Sequence, residues 1–67
     1  MTMTKSSSQM VIRWSNQSER YALYQDGERL CFAGGTDADA EENAEDLSLH
    51  GNSVSLVYRD GTRVEYR

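Results

Sequence analysis

The sequence of 67 residues predicts one small α+β domain, an antiparallel β-sheet of element order β-β-β-α-β-β with one acidic helix packed on one face. Five short runs rich in β-branched and aromatic residues predict strands. Two Asp-Gly pairs between such runs are typical of β-hairpins. One stretch with apolar residues at helical spacing separates the third run from the fourth. We expect the domain to span residues 10–67 and the polar residues 1–9 to form a disordered N-terminal tail.

The first three strands are joined by short polar turns, and we expect them at residues 10–15, 20–25 and 28–33. Asp26-Gly27 joins the second strand to the third, and a two-residue loop there pairs Leu23 with Leu30. The same register pairs Tyr21 with Phe32, so four apolar side chains share one face. Because a slip of one residue moves every side chain to the other face, burial should favour this register.

The helix is predicted between the third and fourth strands. Thr36 is a good N-cap, and Asp39 three residues later completes an acidic variant of the capping box. Gly51 supplies the stop as the C′ residue. Like charges one turn apart repel by a few tenths of a kcal/mol each, so packing rather than propensity should hold the helix. The packed stripe is narrow and consists of Ala40, Ala44 and Leu47.

The last hairpin turns at Asp60-Gly61, where a three-residue loop over 59–61 gathers the apolar side chains on one face. We therefore predict a type I turn with Gly61 in the left-handed region and a G1 bulge. The predicted cross-strand pairs are Tyr58 with Thr62, Leu56 with Val64 and Val54 with Tyr66.

Composition argues against catalysis, and we expect no enzyme activity, no cofactor and no metal. A single cysteine, Cys31, allows no intrachain disulfide and favours a reducing, cytoplasmic location. The single histidine, His50, lies just before the helix stop, where it can satisfy the helix C-terminus. The alternating acids that begin at Asp37 look like the start of a calcium loop, but the glycine and final glutamate of that motif are missing. No run approaches the roughly 20 apolar residues of a membrane helix.

Charge distribution is the most informative feature of the chain. The net charge is −4, yet six acids fall within ten consecutive residues that contain no Lys or Arg. A face that accepts such self-repulsion is a candidate site for a basic protein surface. The alternative is a solvated face that only keeps the protein soluble. The predicted partner-binding residues are Asp37, Asp39, Glu41, Glu42, Glu45 and Asp46.

A second candidate surface is the outer face of the sheet, where the arginines lie. Its members are Arg59, Arg63 and Arg67, joined by Arg13 and Arg29. Arginine and aromatic residues are enriched at interface hot spots and also suit single-stranded nucleic acid. The single lysine and the acidic helix argue against direct nucleic-acid binding. Pairing with acids across neighbouring strands is the plainer explanation for these arginines.

In size, charge and architecture the chain resembles a class of very small, acidic, cysteine-poor α+β proteins of phages and mobile elements. Anti-CRISPR proteins and DNA-mimic inhibitors of that class occlude basic nucleic-acid-binding surfaces. The resemblance includes no site residue. It implies a protein-binding module that inhibits a nucleic-acid-handling protein. The alternative is a structural or accessory domain that acts as a homodimer through a sheet edge or through the Arg/Tyr face.

Overall fold

The computed structural model describes residues 9–66 and contains five strands and one helix. It confirms the α+β class and the predicted element order. Of the predicted tail, residues 1–8 lie outside the described residues, and Gln9 is the first residue of β1. The elements are β1 Gln9–Ser15, β2 Arg20–Gln25, β3 Glu28–Phe32, α1 Asp37–Leu49, β4 Ser53–Val57 and β5 Arg63–Tyr66.

The strands form one sheet in the order β3-β2-β1-β4-β5. Three of its pairings are antiparallel, but β1 and β4 are parallel, so the sheet is mixed and the expectation of a wholly antiparallel sheet is wrong. The reason lies in the connection. Two hairpin turns leave β3 parallel to β1, and α1 then returns the chain to the same end of the sheet, as parallel strands require.

The core lies between α1 and one face of the sheet. Ala40 and Ala44 of α1 are fully buried, and the helix contacts β4 and β5. Because these side chains are small, the helix backbone can lie close to the sheet, and the predicted Ala40, Ala44 and Leu47 stripe is confirmed. The side chains beneath it include Ile12, Tyr21, Leu23, Val54 and Leu56 of the strands and Ala33 just after β3.

The opposite side of the sheet, which we call the open face, is not covered by α1. Residues directly across from each other in neighbouring strands point to the same side, so the register identifies its members. In β1, β2 and β3 they are Gln9, Val11, Arg13, Ser15, Arg20, Ala22, Tyr24, Arg29 and Phe32; in β4 and β5 they are Ser53, Ser55, Val57, Arg63 and Glu65.

The β2–β3 turn is a two-residue loop, as predicted. Asp26 and Gly27 both have positive φ, 55° and 85°, which is typical of a type I′ turn. The register beyond it is wrong in the prediction, because a bulge at Leu30 shifts the rest of β3 by one residue. Leu23 therefore pairs with Cys31. Phe32 turns to the open face, where it is 42 % exposed.

This bulge changes which residue meets Tyr21. The backbone of Tyr21 bonds to Ala33 and Gly34, with both N···O distances at 2.8 Å. The small side chain of Ala33 is buried there, in the place predicted for Phe32.

The β4–β5 hairpin confirms its prediction in loop length, register and backbone conformation. The amide of Gly61 donates to the carbonyl of Tyr58 at 2.8 Å, and the amide of Tyr58 donates to Thr62 at 2.7 Å. Gly61 has φ of +95°. Asp60 Oδ1 accepts from the Thr62 amide, and this hydrogen bond holds the pKa of Asp60 below its usual range.

Both ends of α1 have the predicted capping residues, but within residues 9–66 the Asp39 side chain makes no hydrogen bond back to Thr36, so the predicted capping box is not completed. Thr36 Oγ1 accepts from the Asp39 amide at 3.1 Å. At the other end Gly51 donates to Ser48 and Asn52 donates to Leu47, the two bonds of a Schellman motif. The caps satisfy backbone groups that a helix otherwise leaves without partners, so they define where the acidic segment begins and ends.

Candidate functional site

The six predicted partner-binding residues all lie on α1 and are all exposed. Residues three or four apart on a helix share a face, so the carboxylates fall into two rows. The inner row faces the tyrosines of the sheet and consists of Asp37, Glu41 and Glu45. The outer row consists of Asp39, Glu42 and Asp46.

Tyrosine hydroxyls of the sheet orient the inner row. Tyr21 donates to Asp37 Oδ1 at 2.6 Å, and the same hydroxyl accepts from the Arg59 amide at 3.1 Å. Tyr58 donates to Glu41 Oε2. The helix is thus attached to the sheet through polar bonds beside its alanine stripe, and two carboxylates are held in place by neutral donors.

These tyrosines remain protonated at neutral pH. Burial raises the pKa of Tyr21, and its hydrogen bond to Asp37 raises it further. The hydrogen bond to Glu41 raises the pKa of Tyr58 most, with a smaller effect of burial. Burial, followed by the charges of Glu41 and Glu45, raises the pKa of Tyr66. Because the donors are uncharged, they leave the negative charge of the inner row in place.

The outer row has little internal compensation. Asp46 lies 3.9 Å from His50 Nδ1, and both side chains are largely exposed. Asp39 and Glu42 make no side-chain hydrogen bond or ion pair within residues 9–66. In the same part of the chain no arginine forms an ion pair with any carboxylate of α1. The helix therefore presents its charge to solvent rather than to its own domain.

The predicted arginine surface is divided between the two sides of the sheet. The Arg59 guanidinium lies 4.1 Å from the ring centroid of Trp14, beside Tyr21. Arg63 lies on the open face, where Nε donates to Glu65 at 2.7 Å and Nη2 donates to the buried Ser55 hydroxyl at 3.2 Å. The third member, Arg67, lies outside the described residues. Arg63 thus pairs with Glu65, one of the acids that the plainer explanation named, but the pair lies within β5 and not across two strands.

A different arginine group occupies the open face of β1, β2 and β3. Arg13 lies over the Tyr24 ring at 4.2 Å. Arg20 and Arg29 lie over the Phe32 ring at 4.8 and 4.9 Å from its centroid. Arg13 and Arg29 were predicted members of an arginine surface, but Arg20 was not. The alternation of β2, which puts Arg20 on the same side as Tyr24, was the signal that could have found it.

The remaining chemical candidates lie apart from one another. His50 Nδ1 donates to the Asp46 carbonyl at 2.8 Å, which agrees with its predicted place at the helix C-terminus. Cys31 is exposed on the edge strand β3. Among residues 9–66 no group of three or more His, Cys, Asp or Glu side chains could hold a metal ion. The helix of that region is too short and polar to cross a membrane.

Comparison of the chain with protein-family models, with curated proteins and with solved structures finds no match in any of the three.

Proposed function

We propose that the protein is a non-enzymatic binding module whose acidic helix docks on a basic surface of a partner protein. The observation that supports it is the exposed set of six carboxylates without an intramolecular arginine partner in the described chain. An acidic cluster that stabilised the fold through ion pairs would have lysine or arginine partners within the domain. Here the charges instead repel one another along α1 at a cost to the helix.

The surface is rigid enough to recognise a defined partner. Asp37 and Glu41 are fixed by the tyrosine hydroxyls, the helix is capped at both ends, and Ala40 and Ala44 hold it against the sheet. A rigid array loses less conformational entropy on binding than side chains on a mobile segment. The spacing of the Asp37 and Glu41 carboxylates is therefore set before the partner arrives, and the helix sets the backbone positions of the other four.

A suitable partner has arginines or lysines that cover an area comparable to one face of the 13-residue helix. Nucleic-acid-handling proteins present such basic surfaces, because phosphate recognition depends on Lys and Arg. The proposal includes inhibition of such a protein by occlusion, the mode of anti-CRISPR and DNA-mimic proteins. It rests on charge and shape alone, and complementarity of this kind contributes mainly to association rate and specificity.

The test compares three baits in affinity capture at low salt. The first is the wild-type chain. The second carries Asp39→Asn, Glu42→Gln and Glu45→Gln, which removes charge but leaves the two tyrosine-bonded carboxylates. The third carries Glu19→Gln, Asp26→Asn and Glu28→Gln, exposed positions outside the helix, so both variants have the same net charge.

We expect partners that the wild type and the third bait retain and the second bait loses. For a partner so identified, the helix variant should associate at least about tenfold more slowly at low salt, and the difference should shrink as salt rises. Equal loss with both variants would mean that net charge alone matters. Equal retention by all three baits would reject the helix as the binding surface.

The homodimer alternative has less structural support. The edge strand β3 is interrupted by the bulge at Leu30 and carries charged residues, and both features protect an edge against pairing with another chain. A two-fold contact through the open face would place Arg13, Arg20 and Arg29 of two copies against each other. Sedimentation equilibrium tests this alternative, and a strict monomer removes it.

A further inference from the structure

We propose that the open face of β1, β2 and β3 binds single-stranded nucleic acid, with guanidinium groups contacting phosphates and the aromatic platforms receiving bases. The surface lies on the opposite side of the sheet from α1 and is distinct from the proposed protein-docking helix. DNA and RNA share the chemistry in question, which is phosphate charge and the flat face of a base.

The positive charge of the open face is complementary to the phosphates of a nucleic acid. The nine open-face residues of these three strands include three arginines and no carboxylate. Glu28 is across from Gln25 on the covered side, and Glu19 is in a turn. Asp26 is in the β2–β3 turn, where it is the one carboxylate that borders the groove beside Arg13 and Tyr24. The sheet therefore separates a cationic layer from the anionic layer of α1. Averaged over the chain, the net charge of −4 conceals this separation.

The way in which the arginines are held also favours a nucleic acid. Arg13 over Tyr24 forms one stack, and Arg20 with Arg29 around Phe32 forms another, on neighbouring strands. Bases stack on aromatic rings and on guanidinium planes alike, whatever their sequence. An acidic peptide would use the charges but not these platforms. Phe32 is 42 % exposed, so its ring is accessible to a ligand.

The shape of the surface agrees with an extended, flexible ligand. A shallow groove of about 300 Å³ runs beside Arg13 and Tyr24, its lining also includes Val11 and Gln9, and it ends at the turn residues Asp26 and Gly27. The groove is open rather than enclosed. A backbone can follow it, whereas a double helix would need an element that projects into a groove.

Repulsion by the acidic helix limits this binding only at low salt. The two layers lie on opposite faces of the sheet, and charges separated by more than about 8 Å are largely screened at physiological ionic strength. Neutralising helix carboxylates should therefore strengthen oligonucleotide binding at low salt. The same change should weaken binding to a basic protein. The two proposals thus respond in opposite directions to one variant, and either can fail alone.

The experiment measures fluorescence anisotropy of labelled oligodeoxythymidine and oligouridine over a range of salt concentrations. Arg20→Gln and Arg59→Gln form a matched pair. Each removes one guanidinium that lies over an aromatic ring, but Arg20 is on the open face and Arg59 lies over Trp14. We expect Arg20→Gln to lower the slope of log affinity against log salt by roughly 0.7, the value for one phosphate contact on a single strand, and Arg59→Gln to leave it unchanged.

A second variant and a direct map complete the test. Phe32→Ala should weaken binding roughly fivefold or more through lost base stacking. On the folded wild type, amide shifts in NMR should change at Arg13, Tyr24 and Phe32 rather than along α1. The proposal is overturned if the oligonucleotides do not bind at low salt, if Arg20→Gln and Arg59→Gln have equal effects, or if a polyglutamate peptide binds the same face as tightly.

Discussion

Gly34, two residues before the helix N-cap Thr36, offers a sharp test of how α1 is joined to the sheet. Its φ is +99°, and a Cβ built there would lie 2.3 Å from Asp39 Cβ. That atom belongs to the first turn of α1, whose amide is held by Thr36, so the clash cannot be relieved by rotating a flexible side chain. Gly34→Ala must therefore strain the backbone, displace the helix N-terminus, or both.

The cost can be estimated from these two effects. A non-glycine residue at positive φ costs about 1–2 kcal/mol, and loss of a Thr N-cap bond costs about 1 kcal/mol. Gly34→Ala should thus lower the free energy of unfolding by about 2–3 kcal/mol. For a domain of this size that corresponds to a fall in Tm of roughly 10–20 °C.

The neighbouring Gly35 is the matched control. It has no positive φ, and a Cβ there would meet no atom within 4 Å. Gly35→Ala should leave stability unchanged or raise it by about 0.4–1 kcal/mol, because alanine restricts the unfolded chain. Urea unfolding followed by the fluorescence of Trp14, the only tryptophan, measures both variants. Equal stability of the two variants would refute the close packing of Gly34 against the first turn of α1.

Three further substitutions or conditions test other contacts. Tyr21→Phe removes the donor to Asp37 and leaves the Arg59 amide without its acceptor, so urea unfolding should show a loss of about 1–3 kcal/mol; no loss would contradict these bonds. Glu19 has φ of +56°, so Glu19→Gly should raise the free energy of unfolding by about 1 kcal/mol and with it the Tm. A lower Tm would show that the backbone of this turn has a different conformation. The pKa of Tyr21 is raised in the folded protein. The contribution of its hydroxyl to the free energy of unfolding is therefore fully present below the unfolded pKa of about 10 and is lost as the pH rises through the folded pKa. Thermal unfolding should be measured at pH 8 and pH 11, on either side of the unfolded tyrosine pKa of about 10. The drop in Tm between these two pH values should be smaller for Tyr21→Phe than for the wild type, and identical drops would contradict the raised pKa of Tyr21.

Local sequence signals were sufficient to predict the turns and the ends of the helix. At Asp60-Gly61 the apolar residues fit only one register, and Gly61 meets the need for positive φ, so loop, bulge and pairs could all be predicted. Thr36 and Gly51 fixed the helix ends for the same reason: each cap depends on one residue and its immediate neighbours.

Features that depend on distant parts of the chain could not be predicted. The bulge at Leu30 accompanies the packing of Ala33 against Tyr21 and of Phe32 against Arg20, and the hairpin pattern does not contain that information. Parallel pairing of β1 with β4 depends on the path of α1 over the sheet. The position of Arg59 over Trp14, away from Arg63, also could not be predicted, because pairing within one hairpin does not determine contacts with β1.

The candidate site likewise combines features that local sequence determines with features that depend on distant parts of the chain. Clustering of acids is visible in the sequence, and the helix ensures that they share one surface. Their lack of arginine partners within residues 9–66, and the donation of Tyr21 and Tyr58 to the inner row, required the tertiary structure. That finding matters most for function, since internal ion pairs would have removed the electrostatic argument for a partner.

The most direct test of the helix as a docking surface is an NMR titration of the isotope-labelled protein with a lysine-rich peptide at low and at high salt. We predict amide shift changes concentrated in residues 37–49, loss of those changes at high salt, and a weaker response in the Asp39→Asn, Glu42→Gln, Glu45→Gln variant. Shift changes spread evenly over the surface, or an unaltered titration of that variant, would contradict the proposal.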